Sequence, residues 1–183
     1  MSWRGWLILI VIGVGGGWFY FTRNHQSLQI IPSLNTGNMK LTSSAFVNNT
    51  TIPVQYTCTG QGVTPPLTFS GVPAKAQSLA LIMDDPDAPS GTFVHWVIFN
   101  MPPSTAGLEE NGSVPGVQTG NSENLAGYTP PCPPSGQHRY YFKLYALNET
   151  LVASDIQNKA DLELAMSGRI IARSELIGLV AHQ

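Results

Sequence analysis

Apolar residues fall along this chain in three patterns, and each predicts a different kind of element. In the first, Gly5 to Phe21 (GWLILIVIGVGGGWFYF) runs for seventeen residues without a charge between Arg4 and Arg23, the lower limit of length for a helix that crosses a bilayer. The second pattern is a series of short apolar or alternating runs: Met39 to Phe46, Ile52 to Gln55, Leu67 to Ser70, Ser78 to Met83, Phe93 to Phe99 and His138 to Leu147. Asn, Pro and Gly punctuate these runs, so they predict β-strands. The third pattern is helical and occurs once, where Leu162, Ala165 and Met166 share a face behind Asn158 as N-cap and ahead of Gly168 as a stop. With a closing strand around Glu175 to Val180, the sum is a largely antiparallel β domain.

The N-terminal run ends on Trp18, Phe19, Tyr20 and Phe21, which suits an interfacial aromatic anchor. Residues 1–23 are therefore expected to be an uncleaved single-pass membrane anchor. A cleaved signal peptide and a buried core helix are the competing readings. Residues 24–38 are polar, rich in Asn and interrupted by Pro32 and Gly37, and read as a linker. The domain then occupies 39–183. Arg4 and the terminal amine on one side against Arg23 on the other favour an extracytoplasmic domain.

Two of the predicted strands carry chemistry as well as apolar surface. Ser78 to Met83 leads into Asp84, Asp85 and Asp87, in a turn that Pro86 and Pro89 hold extended. In the next strand, alternation places His95 with Phe93, Val97 and Phe99, and Val94, Trp96 and Ile98 on the other face. Later, Pro130, Pro131, Pro133 and Pro134 stiffen a loop that ends at Gly136, after which His138, Tyr140, Phe142 and Leu144 point to the core. Two inward histidines beside rigid loops, joined by a phenol, can donate hydrogen bonds to an anion while a carboxylate fixes the imidazole tautomer.

The same residues permit a two-histidine, one-carboxylate metal site of His95, His138 and Asp85 or Asp87, and with it a metal-dependent hydrolase. No close ligand pair supports that reading. No Ser sits in a Gly-x-Ser-x-Gly elbow, and the glycines from Gly13 to Gly17 precede no Lys-Ser/Thr. No cofactor and no catalysis are expected. Charged residues are only 11% of the chain. Without its first 38 residues the chain holds seven basic against eleven acidic residues, a net charge of −4, which argues against nucleic acid as a partner. Cys58 and Cys132 are the whole thiol inventory, and read either as a disulfide of an exported domain or as two buried thiols.

Asp85-Pro86-Asp87-Ala88-Pro89, His95-Trp96 and Gly136-Gln137-His138-Arg139-Tyr140 together resemble the signature of the phosphatidylethanolamine-binding protein (Raf kinase inhibitor protein-like) family. Thr64-Pro65-Pro66-Leu67, Pro131-Cys132-Pro133-Pro134, Tyr145-Ala146-Leu147 and Glu175-Leu176-Ile177-Gly178 resemble its bacterial and archaeal branch. The resemblance runs from about Met39 to Val180. It implies a mainly β, antiparallel β-sandwich-like fold with one or two small helices, and a cis bond at Ala88-Pro89. It also implies a small anion pocket of Asp85, Asp87, His95, His138 and Tyr140, leaving Asp84 as a turn residue. Eukaryotic members bind phosphate-bearing groups such as lipid head groups, and several inhibit kinases or proteases. The expectation is a membrane-tethered, non-enzymatic domain for a small anion or phospholipid head group. The alternative is a protease or kinase inhibitor that meets its partner through the loop Ser104 to Ala126. Thr129 and Pro130 stand where bacterial relatives often have glycines, which removes a backbone donor from the rim.

Overall fold

The punctuated apolar runs form nine strands and one short α-helix in a computed structural model that describes residues 38–182. The expected anchor over residues 1–23, and all but the last residue of the linker, lie outside the described residues. Within those residues no helix is long and apolar enough to cross a membrane. The strands are β1 (Lys40–Thr42), β2 (Thr50–Thr51), β3 (Leu67–Ser70), β4 (Ser78–Asp85), β5 (Phe93–Met101), β6 (Gly107–Leu108), β7 (Val117–Gln118), β8 (Gln137–Leu147) and β9 (Ile170–Ala181). The helix, α1 (Lys159–Met166), precedes β9.

Two sheets result, in the orders β1-β3-β6 and β2-β9-β8-β4-β5-β7. Every pairing is antiparallel except β2 with β9. Strand β4 lies inside the larger sheet and is buried at all eight positions, which its nearly continuous apolar run requires, because both of its faces are covered. On one face Leu81, Met83, Trp96, Tyr140 and Phe142 pack against Leu41, Leu67, Phe69 and Leu108 of the smaller sheet. On the other, Ala80, Ile82, Val97 and Phe99 pack under Leu151, Ile156, Leu162 and Met166. Among the described residues the fold is thus mainly β with a single small α-helix.

Local chemistry explains the boundaries. The Asn158 side chain accepts from the amides of Ala160 and Asp161 and starts α1, while Gly168 at φ 74° ends its turn. The run from Met39 stops as a strand at Thr42, where the Ser43 hydroxyl turns to the Pro66 carbonyl. Between Ile52 and Gln55, where a strand is expected, Pro53 instead leads a single 3-10 turn, Val54–Tyr56. The closing strand is longer than expected and pairs with β8 along its whole length. No peptide bond among the described residues is cis, Ala88-Pro89 included. The reversal there is made by Asp85 Oδ1 accepting from the Asp87 amide and by Gly91 at φ 97°, a conformation that suits glycine.

Candidate functional site

Strand β4 runs antiparallel to both of its neighbours, so its C-terminal end meets the N-terminal ends of β5 and β8. Asp85 is opposite Phe93 on one side, and Asp84 is opposite Tyr141 on the other. This register, rather than nearness in sequence, brings the two histidine strands to the acidic turn. At that end of the sheet opens a cavity of about 520 Å³, whose lining includes Asp85, His95, Glu123, Thr129, His138 and Tyr140. Ala88 to Phe93 on one side and Pro130, Cys132 and Pro134 on the other supply most of the rest of its wall.

His95 reaches this cavity through an irregularity that the alternation rule does not contain. Met83 pairs with Trp96, but the next residue, Asp84, pairs with Val94. His95 is the extra residue of a β-bulge, a device that re-aims a side chain. Strict alternation would have sent His95 to the Val97 and Phe99 face, beneath the helix. The bulge returns it to the side of Phe93 and Tyr140, with ring centroids 4.7 and 5.2 Å away. Val94 and Trp96, two residues apart, consequently pack into opposite cores.

Both imidazoles spend Nδ1 on the protein. The His95 Nδ1–H donates to the Thr129 carbonyl at 2.8 Å, and the Thr129 amide donates back to the His95 carbonyl at 2.9 Å. His138 Nδ1 donates to Asp85 Oδ2 at 2.7 Å, and Asp85 Oδ1 is taken by the Asp87 amide at 2.8 Å. Asp85, His95 and His138 are each at most 6% exposed, so these bonds fix the tautomers in a dry setting. Burial, the largest influence, holds His95 below its ordinary pKa of 6.5, against the raising effects of Thr129 and Asp85. Burial likewise pushes the Tyr140 phenol up, reinforced by Asp85, with the Cys132 amide working weakly the other way. That amide does not reach bonding geometry, and the Tyr140 hydroxyl is the one fully buried side-chain polar atom without a hydrogen-bond partner among the described residues.

Asp85, His95, His138 and Tyr140 therefore share one cavity, and Asp87 does not line it. The Asp87 carboxylate is gripped in a fork by Arg139 Nε and Nη2, at 2.9 and 2.6 Å, and also accepts from the Arg139 amide. This pair pins the turn to β8 beside the mouth, and the guanidinium lowers the carboxyl from 3.8 to about 2. Asp84, expected as a turn former, is the last inward residue of β4 on the opposite face. It is 1% exposed at its side chain and bridges Lys143 and Lys159. With Asp85 committed to His138 and Asp87 to Arg139, no group of three potential metal ligands converges among the described residues, and the two-histidine, one-carboxylate metal set is not assembled.

Several contributors lie outside the sequence expectation. Thr129 acts through its backbone, and its hydroxyl accepts from Asn121 and donates to Glu123. Asn121 in turn caps the amides of Glu123 and Leu125, which orders this wall of the cavity. Cys58 and Cys132 form a disulfide with Cα atoms 5.4 Å apart, and the Cys58 amide donates to the Pro131 carbonyl. The proline-rich wall is thereby fastened to the segment that follows the 3-10 turn. Composition could flag the cysteines and the Arg beside His138. A contact made by the Thr129 carbonyl leaves no trace in side-chain patterning.

Comparison with known proteins gives a consistent result. Residues 42–181 match the family model of phosphatidylethanolamine-binding protein. A UPF0098 protein of Methanothermobacter thermautotrophicus is 50% identical over 147 residues, covering 77% of this chain and 97% of that protein. A solved structure of a phosphatidylethanolamine-binding protein homologue from Chlamydia trachomatis superposes with TM-score 0.75 at 43% identity, covering 79% of this chain and 98% of the other. The E. coli protein YbcL, described as a new member of the mammalian family, gives TM-score 0.73 at 27% identity, with 79% and 99% covered.

Proposed function

Because the chain belongs to the phosphatidylethanolamine-binding protein family, we propose that its domain is a non-catalytic binding module for a small oxyanion, such as a phosphate-bearing lipid head group. The observation that carries this reading is the Tyr140 hydroxyl, buried without a partner at the cavity. A buried hydroxyl left unpaired costs free energy, and a ligand oxygen that accepts from it recovers that cost. The two uncommitted imidazole Nε2 atoms supply further hydrogen-bonding positions around the same space. Residues 1–23 would tether the module to a membrane, and a disulfide at the cavity wall suits a domain held in an oxidising compartment.

Calorimetric titration with a phosphorylated head group such as phosphorylethanolamine tests the reading. Tyr140→Phe weakens binding by about 2 kcal/mol, the value of a hydrogen bond to a charged group. The same substitution leaves unfolding stability unchanged or slightly higher, because the unliganded hydroxyl has nothing to lose. Equal binding by both forms, or a large loss of stability without a change in affinity, would remove the hydroxyl from the account.

A further inference from the structure

Among the described residues the cavity is lined by two carboxylates, Asp85 and Glu123, and by no Lys or Arg. The groups in its wall that can become cationic are His95 and His138. An anion entering this space meets no fixed positive charge, so compensation has to come from protons on imidazole. For His95 the reason is geometric. Its Nδ1 faces the Thr129 carbonyl, which can only accept, so the ring proton stays on Nδ1 and the neutral ring offers a lone pair at Nε2. An anionic oxygen opposite that lone pair is repelled unless one proton lies between them.

Resting on the oxyanion reading of the cavity, we propose that binding is proton-linked through His95, so that one proton is taken up at Nε2 with each anion bound. The groups facing His95 fit this behaviour from every side. Asp85 on β4 and Glu123 from the loop after β7 favour the charged ring from the cavity side, Asp84 does so through charge alone from the other face of the sheet, Tyr140 on β8 meets it edge-on, and Thr129 holds the far nitrogen. Burial outweighs the carboxylates in the free protein and disfavours the charged ring there. The ligand's negative charge tips the balance. Because protons enter with the ligand, affinity rises as pH falls and levels off once the free protein already holds the proton. Acidic surroundings would load the module and alkaline ones would empty it.

Dimethyl phosphate is the suitable probe, since it stays a monoanion throughout the range and contributes no titration of its own. Calorimetry of the full chain in buffers of differing ionisation enthalpy reads the proton count directly. The expected result is uptake of about one proton by the unaltered protein that disappears in His95→Gln, the glutamine amide supplying an N–H without titrating. As a second readout on the unaltered protein, Kd tightens up to about tenfold per pH unit between about pH 8 and pH 6.5. Binding without proton uptake and with a flat pH profile overturns this inference but leaves the oxyanion pocket standing. Uptake that is unchanged in His95→Gln assigns the proton elsewhere and overturns the role of His95. Absence of binding at every pH, to dimethyl phosphate and phosphorylethanolamine alike, overturns both.

Discussion

Replacing Cys58 and Cys132 together by alanine lowers the unfolding free energy of the domain by about 4 kcal/mol, which is the chain-entropy value for a loop of this length. The two cysteines are 74 residues apart, so the cross-link forbids a large set of extended conformations to the unfolded chain. The folded side of the comparison should change little, because the Pro131 carbonyl keeps its backbone bond to residue 58. Guanidinium unfolding of the oxidised protein, of the same protein under reductant and of the double variant should give one common midpoint for the last two. A loss below about 1 kcal/mol would mean that the unfolded chain is already compact around this loop. The wall residues Pro130, Cys132 and Pro134 depend on the same link, so reduction should also blunt anion binding.

Asp84→Ala is the second large effect, a destabilisation of about 3 kcal/mol, near the lower end of what losing one partner of a buried ion pair costs. Its carboxylate is sealed between the sheet and α1 and receives Lys143 and Lys159, at 2.8 and 2.6 Å. The two ammonium groups are less enclosed, with side chains 27% and 19% exposed, so after truncation they can turn towards water, which places the cost at the lower end. Lys159 feels burial first, and the hydrogen bond and charge of Asp84 more than offset it, holding its pKa above the usual 10.5. Lys159→Ala should cost less than Asp84→Ala, about 1 kcal/mol, because Lys143 still neutralises the buried carboxylate. Thermal or denaturant unfolding of the two variants gives the order, and the reverse order would contradict a central role for Asp84.

The parts of this fold that can be read from sequence are those decided within one element. The apolar run Ser78 to Met83 announces a strand covered on both faces, and Asn158 and Gly168 mark the helix ends by their own side-chain and backbone chemistry. The inward pairing of His138 and Tyr140 follows from simple alternation along β8. What alternation cannot supply is register between strands. The bulge at His95 exists because Asp84 pairs with Val94 after Met83 has paired with Trp96, a relation among residues far apart along the chain. Asp84 illustrates the same limit from another side. Beside Pro86 it has the sequence of a turn former, yet its carboxylate is placed by two lysines that lie 59 and 75 residues away. Asp87 shares the acidic turn with Asp85, but the Arg139 fork draws it out of the cavity lining.

A single anion held in this cavity would contact the side chains of two strands at once. Nitrogen NMR of the domain labelled at its histidines tests it most directly, because Nε2 of His95 and His138 report separately during a titration with phosphorylethanolamine. Both Nε2 resonances should move along one saturation curve, while His182, whose Nδ1 is engaged by the Pro133 carbonyl, follows no such curve. Two different saturation curves, or movement of His138 alone, would contradict a shared site.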